Sequence, residues 1–254
     1  MSVAVPCYFA DNSRMISLQW LDGKTSLEFP PVESALKEPD GLLAAGGDLS
    51  PETLIKAYQQ GIFPWYSEGE PILWWSPDPR FVLFPDMLKV SRSLAKNVRN
   101  GGFTVSMDRA FDAVISSCAQ QPRRDQPGTW LSAEMQAAYL QLHQRGYAHS
   151  VECWQDNQLV GGLYGVHMGS VFCGESMFSR RSNASKVALV HLCDFLHRQG
   201  FKLIDSQVYT EHLQRLGAVM IPRSDYIKIL RQTAEVRMPK SWTDLFNQHI
   251  SPSS

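Results

Sequence analysis

The 254-residue sequence lacks any apolar run long enough to cross a membrane. A membrane-spanning helix needs about 20 consecutive apolar residues, and no segment approaches that length. The first twenty residues contain Pro6, Asp11 and Arg14, which suit neither the apolar core of a signal peptide nor an amphipathic transit helix. We therefore expect a soluble, cytoplasmic protein with no membrane partner.

Cysteine and histidine are scattered rather than grouped. The five cysteines are odd in number and never form a C-x-x-C pair, and the seven histidines show neither H-x-x-x-H nor H-E-x-x-H spacing. Disulfide frameworks and zinc sites depend on such groupings. The sequence therefore predicts reduced thiols, no metal site and no cofactor.

A strong net charge is also missing. Lys and Arg number 24 against 25 Asp and Glu, giving a formal net charge of -1, and 44% of the residues are hydrophobic. This composition is typical of a globular protein with one large or two modest domains. It excludes disorder as the main state and a whole surface that coats nucleic acid, although a local basic patch remains compatible with it.

Proline is concentrated near the N-terminus, with nine of the fifteen prolines between residues 30 and 85. Long regular elements cannot run through such a stretch. One short helix is well marked, with Ser50 as N-cap, Pro51 at its first position and Gly61 just past its end. We predict a small, loop-rich domain over residues 1–80, whose three tryptophans after Gly61 either pack against the next domain or stack on a flat ligand.

Regular periodicity begins after residue 80. Ser91, Asp108 and Ser132 each precede an amphipathic segment and are predicted N-caps of helices. Three extended segments, HSVECWQ, QLVGGLYGVHM and VFCGESMF, follow with turn signals between them, which predicts an antiparallel meander. A helix over residues 183–198 and a strand, KLIDSQV, come next.

This order predicts an α/β (α+β) fold for residues 81–254. A meander, a crossover helix and a further strand form the second half of an acetyltransferase-like (GNAT-like) domain. Its sheet is mixed, largely antiparallel and flanked by helices. Fold alone does not determine the chemistry.

Three polar side chains interrupt the apolar strands: Glu175 in VFCGESMF, and Asp205 and Gln207 in KLIDSQV. Residues i and i+2 of a strand share a face, so Asp205 and Gln207 are expected to point together. An acid and an amide on one face can orient an amine and hold a carbonyl. The alternative is that both carboxylates lie at strand ends, solvated or bonded to backbone amides. Gly174, just before Glu175, indicates a β-bulge or a close backbone approach.

A basic stripe follows Ser91. Arg92, Lys96 and Arg99 are spaced to lie on one helix face. Residues 80–109 carry six basic against two acidic side chains, a local balance of +4. The stripe is either a solvated helix face or a phosphate-binding surface.

With these features the chain resembles the leucyl/phenylalanyl-tRNA–protein transferase family over most of residues 33–226. The matching segments are EPDGLLAAGGDLSPETLIKAYQQGIFPWYS, PILWWSPDPR, GTW, LVGGLYGV, FCGESMFSR, NASK and LIDSQV. The resemblance implies an enzyme, acting without a cofactor and as a monomer. It implies transfer of Leu, Phe or, less readily, Met from aminoacyl-tRNA, with Leu-tRNA and Phe-tRNA as partners, to proteins with N-terminal Arg or Lys, which marks them for N-degron degradation.

The resemblance also implies roles for individual residues. The implied catalytic residues are Glu175, Asp205 and Gln207; the amino-acid pocket is Leu163, Phe172, Met177 and Ile204; the residues near the tRNA 3′-adenosine are Trp65, Trp130 and Tyr139; and the tRNA-phosphate contacts are Arg92, Lys96 and Arg99.

The implied site conflicts with strict strand alternation, which places Phe172 opposite Glu175 and Ile204 opposite Asp205. A bulge at Gly174, or a splay between the two strands, would bring all four around one cavity.

Two other functions fit part of the sequence. An acyl-CoA-dependent N-acetyltransferase on the same fold expects a Q/R-x-x-G-x-G/A loop after the third meander strand, and GESMFSRRSNASK contains none. A non-enzymatic tRNA-binding module would use the basic stripe and the tryptophans, but it gives no role to Glu175, Asp205 and Gln207.

Overall fold

The computed structural model describes residues 2–6, 15–22, 28–121, 131–233 and 241–250. Its strands are β1 (Ser2–Pro6), β2 (Met15–Leu21), β3 (Leu42–Gly46), β4 (Phe63–Pro64), β5 (Leu73–Trp75), β6 (Arg80–Leu83), β7 (Thr104–Met107), β8 (Ala148–Gln155), β9 (Gln158–Met168), β10 (Val171–Ser179), β11 (Leu203–Asp205) and β12 (Val219–Ile221). Its α-helices are α1 (Pro51–Gln59), α2 (Arg92–Asn100), α3 (Phe111–Ala119), α4 (Ala133–Gln144), α5 (Ala184–Arg198), α6 (Glu211–Arg215), α7 (Arg223–Thr233) and α8 (Trp242–Ile250).

The N-terminal part contains more regular structure than its proline content predicts. Five short strands form a sheet in the order β1-β2-β3-β5-β4. The predicted helix is present as α1: the Ser50 side chain accepts a hydrogen bond from the Thr53 amide, and Gly61 has a φ of +75° just beyond the helix. Strands of two to seven residues leave little periodicity in the sequence, which is why this sheet was not predicted.

The second sheet has seven strands in the order β12-β6-β11-β10-β9-β8-β7. Strands β8, β9 and β10 form an antiparallel meander, α5 crosses over, and β11 pairs in parallel with β10. Strand β6 then pairs antiparallel with both β11 and β12. The predicted meander, crossover helix and further strand are confirmed, and with them the mixed α/β, acetyltransferase-like fold class.

Two hydrophobic cores cover the faces of this sheet. One combines the N-terminal sheet and α1 with apolar side chains of α3, α4 and α7. The other contains side chains of α5 and α8 together with Leu94 of α2. Among the helices in the described ranges, none is long and apolar enough to cross a membrane.

Of the three helix caps predicted after residue 80, two are confirmed. Ser91 and Ser132 accept hydrogen bonds from backbone amides in the first turns of α2 and α4. Asp108 does not cap α3, which begins at Phe111; its carboxylate instead accepts from the Ser150 amide and contacts His149. The expected cap was wrong because β8 lies alongside and takes the Asp108 side chain.

Candidate active site

The site lies where two strands of the seven-stranded sheet stop pairing. Strands β10 and β11 pair only from Val171–Leu203 to Cys173–Asp205. Strand β11 ends there, whereas β10 continues to Ser179. Residues that follow the last pair on both strands line a cavity of about 350 Å³.

A β-bulge shapes one wall of this cavity. In the pairing of β10 with β9, Gly174 lies opposite Gly165 and Ser176 opposite Tyr164, so Glu175 is the extra residue. The bulge indicated by Gly174 is confirmed. Because the bulge shifts the alternation by one residue, Phe172 and Glu175 both line the cavity.

The rest of the wall is largely apolar. All four residues of the expected amino-acid pocket line the cavity: Leu163, Phe172, Met177 and Ile204. Sequence reasoning missed further apolar wall residues, namely Phe63, Leu83, Leu189, Leu192 and Leu213. They come from β4, β6, α5 and α6, and helical or strand periodicity marks them only as core. Glu175 is the single acidic side chain among the described residues of this wall.

Glu175 is held by three hydrogen bonds. Its carboxylate accepts from the hydroxyls of Tyr58 and Tyr139, each at 2.8 Å, and from the Gln207 amide nitrogen at 2.9 Å. Burial raises the pKa of Glu175 to about 7 and the nearby Asp205 charge adds to the rise, whereas the three donors oppose it. The hydrogen bond from Gln207 bridges the split between the two strands.

Asp205 lies beneath the cavity rather than in its wall. It is fully buried and accepts two hydrogen bonds from Arg80, Nε to Oδ1 at 2.8 Å and Nη2 to Oδ2 at 2.7 Å. The Tyr226 hydroxyl and the Gln207 backbone amide complete its shell, each at 3.0 Å. Both carboxylate oxygens are therefore occupied, and strict alternation holds between Asp205 and its neighbour Ile204.

Arg80 is the partner that sequence reasoning missed. Its guanidinium is 1% exposed and lies over the rings of Phe63 and Tyr226, at 4.8 and 4.7 Å. Burial alone would lower the pKa of Arg80, but the Asp205 charge raises it above its ordinary value. The one available signal for this partner was the position of Arg80, directly before the apolar segment FVLF. From the sequence, Arg80 was counted among the basic residues of segment 80–109 instead.

Gln207 departs from the predicted strand. Strand β11 ends at Asp205, and Gln207 has a φ of +57°, in the left-handed region. Its side chain lines the cavity, whereas the Asp205 side chain does not. The expectation that the two side chains share a strand face is therefore wrong, because the strand ends before it reaches Gln207.

The remaining expected site residues lie in different places. Trp65 lines the cavity, with its ring tilted against Trp75 at 5.7 Å. Tyr139 is fully buried behind Glu175 and is not part of the wall. Trp130 lies outside the described residues. The three cations of the basic stripe, Arg92, Lys96 and Arg99, are exposed on α2. In the described part of the chain none of them forms an ion pair.

A largely apolar cavity with one carboxylate and one amide, at a split in an acetyltransferase-like sheet, is typical of an acyltransferase. A family model described as leucyl/phenylalanyl-tRNA protein transferase matches residues 82–231, and one described as its N-terminal domain matches residues 47–78. The chain belongs to this family, and it is an enzyme that transfers an aminoacyl group from tRNA to protein.

Similar proteins of the same name occur in several bacteria. The chain is 57% identical to the leucyl/phenylalanyl-tRNA–protein transferase of Hydrogenovibrio crunogenus, over 88% of each chain. It is 58% identical to that of Pseudomonas fluorescens, over 89% of this chain and 99% of the other. It is 60% identical to that of Chromohalobacter salexigens, over 85% and 83%. These relatives decide against the acetyltransferase and the non-enzymatic alternatives.

A solved structure, a GCN5-related N-acetyltransferase from Kribbella flavida, overlays 65% of this chain and 58% of its own. The TM-score is 0.34 and the identity is 12%. The fold class therefore rests on the strand order and pairing described above.

Proposed function

We propose that the cavity binds the Leu or Phe side chain of the aminoacyl-tRNA, and that transfer takes place at the bridge between Glu175 and Gln207. The observation that carries this assignment is a largely apolar wall with one carboxylate, facing an amide across the strand split. We assign the contact with the terminal adenosine to Trp65, because its aromatic ring lies on the same wall. We assign Tyr139 to Glu175 instead of to the adenosine, because its ring is fully buried. Trp130 keeps the adenosine role that the family resemblance implies.

The transfer is aminolysis of an ester. A C–N bond forms between the acceptor α-amine and the aminoacyl carbonyl, the C–O bond to the tRNA ribose breaks, and the ribose oxygen leaves with an amine proton. We assign to the Gln207 amide the role of donating to the oxyanion that develops on the carbonyl, because this amide lines the cavity beside Glu175. Asp205 acts as a positioning residue, because its oxygens are occupied by Arg80, Tyr226 and the Gln207 backbone.

The acceptor is a protein that begins with Arg or Lys. Support comes from the charge of the site: Arg80 compensates Asp205, which leaves Glu175 as the uncompensated carboxylate of the described wall. A carboxylate among apolar side chains is stabilised by a cation that reaches it. We also propose that the enzyme acts as a monomer, and that it acts in the cytoplasm, where aminoacyl-tRNA is used. We retain residues 1–80 as the small N-terminal domain.

The acceptor assignment is tested with peptides that differ only in their first residue. With Leu-tRNA that carries labelled leucine, we expect kcat/KM to be at least tenfold higher for Arg- and Lys-starting peptides than for an Ala-starting peptide. Glu175→Gln should reduce this preference. Labelled acetyl-CoA serves as the control donor and should transfer nothing. Equal use of all three peptides by the wild-type enzyme would contradict the assignment.

The exposed stripe on α2 is proposed to contact tRNA phosphates. Reversing Arg92 and Lys96 to Glu should raise the KM for Leu-tRNA and flatten its dependence on salt, since each lost phosphate contact removes roughly 0.7–0.9 from the slope of log K against log salt. The KM for the peptide should not change. The matched control reverses Arg198 and Lys228, which are exposed on α5 and α7. A salt slope equal to wild type in the Arg92 and Lys96 variant would rule out the stripe.

A further inference from the structure

Four oxygen atoms, two from tyrosine hydroxyls and two from the Glu175 carboxylate, form a closed ring with three contacts behind the cavity wall. The hydroxyls of Tyr58 and Tyr139 lie 2.8 Å apart, and each lies 2.8 Å from a different oxygen of Glu175, Tyr58 from Oε1 and Tyr139 from Oε2. All three separations are ordinary hydrogen-bond lengths for hydroxyl donors. Each contact therefore requires one proton between its two oxygens.

The two tyrosines supply only two of these three protons. Burial raises the pKa of Tyr58 and of Tyr139 well above the ordinary tyrosine value, so both hydroxyls stay protonated. When Glu175 is ionised, one contact of the ring brings two oxygens together with no proton between them. A proton on Glu175 completes all three hydrogen bonds.

The position of that proton follows from Gln207. The Gln207 amide donates to Oε1 of Glu175, so Oε1 serves as an acceptor. The added proton then belongs on Oε2, which donates to Tyr139, Tyr139 donates to Tyr58, and Tyr58 donates to Oε1. This single direction around the ring also keeps the Gln207 hydrogen bond.

Within the described residues, the ring meets the cavity at Glu175. Tyr58 and Tyr139 are 1% and 0% exposed, whereas Glu175 is partly exposed and lines the cavity. A proton carried in by a ligand therefore meets Glu175 first. Asp205 is not available for this task, because Arg80 and its other donors occupy both of its oxygens.

We propose that Glu175 accepts a proton from the α-ammonium group of the acceptor protein, and that Tyr58 and Tyr139 are positioning residues that hold its carboxylate in the ring. The inference rests on the proposed function. An N–H bond of the ammonium breaks and an O–H bond forms on Glu175, and the neutral amine then attacks the ester carbonyl. The second amine proton leaves with the ribose oxygen, and Glu175 returns its proton to solvent before the next turnover.

The proton transfer from the α-ammonium group to Glu175 is only slightly unfavourable. The pKa of Glu175 is about 7, and that of an α-amino group is ordinarily about 7.7–8.0. The transfer therefore costs about a factor of ten in equilibrium. With an ordinary surface glutamate, whose pKa is about 4.3, the same proton transfer would be unfavourable by more than a thousandfold in its equilibrium constant.

Other titratable groups face the site, and their effects on the pH dependence must be distinguished from that of Glu175. They are Tyr58 on α1, Tyr139 on α4, Tyr164 on β9, Cys173 on β10, the Arg80–Asp205 pair, and His212 on α6. Burial raises the pKa of Cys173 well above its ordinary value, so it stays a neutral thiol. Burial lowers the pKa of His212, with the positive charges of Lys186 and Arg215 adding to the effect, which makes His212 the competing base.

The test is the pH dependence of kcat/KM for an Arg-starting peptide at saturating Leu-tRNA. In the wild type the rate should fall on the acid side near the Glu175 pKa of about 7. Glu175→Gln should lose about 100-fold or more, and its residual rate should follow the pKa of the peptide amine. Tyr58→Phe and Tyr139→Phe each remove a hydrogen-bond donor to the Glu175 carboxylate, which raises its pKa. In both variants the fall in kcat/KM on the acid side, the acid limb of the profile, should therefore move to higher pH, while the KM for Leu-tRNA stays constant.

An infrared titration of the free enzyme measures the protonation of Glu175 directly, without turnover. The component of the carboxylic-acid infrared band that titrates near pH 7 in the wild type should be missing in Glu175→Gln and should titrate at higher pH in both tyrosine variants. Tyr147→Phe, which removes the hydroxyl of a half-buried tyrosine outside the ring, is the matched control and should not change the pH at which the rate falls.

Three outcomes would overturn the inference. An acid limb in Glu175→Gln equal to that of the wild type excludes Glu175 as the proton acceptor, and a limb that moves only in His212→Gln assigns the role to His212. Unchanged titration in both tyrosine variants excludes the ring. Each of these results would leave the preference for Arg- and Lys-starting peptides intact, so failure of the inference is distinguishable from failure of the proposed function.

Discussion

Replacing Arg80 with Met is expected to destabilise the protein by about 3–5 kcal/mol, because it leaves the Asp205 carboxylate buried without its counter-ion. The kcat of transfer should fall at the same time, since Asp205 holds the backbone amide of Gln207 at 3.0 Å. Asp205→Asn, which keeps the shape and removes the charge, should likewise lower kcat with little change in the KM for Leu-tRNA. Chemical denaturation and steady-state kinetics measure the two effects separately.

A double variant separates folding from positioning. Arg80→Met combined with Asp205→Leu removes both charges, and it should recover most of the lost stability because an apolar pair carries no desolvation cost. The kcat should stay low, because Leu at this position cannot accept from the Gln207 amide. Arg198→Met is the control, since its pair with Asp194 is exposed and contributes about 0–1 kcal/mol. Full activity in the double variant would show that the buried pair serves only the fold.

Local signals in the sequence predicted most of the C-terminal part. A cap residue acts on amides within its own first turn, so Ser50, Ser91 and Ser132 could be identified without knowledge of distant residues. The meander was predictable for the same reason, because tight turns join its strands. The N-terminal sheet was not, since its short strands depend on partners elsewhere, as in the parallel pairing of β2 with β3.

The candidate site shows the same limit. Glu175 and Gln207 could be selected from the sequence because polar residues are unusual in apolar segments, and Gly174 correctly indicated the bulge. The partner of Asp205 could not be selected, because Arg80 is 125 positions away and any of several cations could have filled that place. Tyr58 could not be selected as a site residue for a similar reason. On α1 it has the periodicity of a core residue, and only the folded chain brings its hydroxyl to Glu175.

Gln207→Gly is expected to lower kcat by about 100- to 1,000-fold, the usual effect of removing one donor from an oxyanion site. The same substitution should keep the free energy of unfolding within about 1 kcal/mol of the wild type. Glycine adopts the left-handed conformation without the cost that a side chain incurs there, which offsets the lost hydrogen bond to Glu175. Single-turnover rates with bound Leu-tRNA measure the first effect, and urea denaturation measures the second.

Asn157→Gly provides the matched control for the backbone part of this prediction. Asn157 has a φ of +59°, close to the +57° of Gln207, but it lies in the turn between β8 and β9. Both glycine variants relieve a left-handed residue, so both should retain stability, and only Gln207→Gly should lose activity. A loss of transfer that appears only together with a loss of stability would assign Gln207 to the fold. Wild-type kcat in Gln207→Gly would remove its amide from the transfer step altogether.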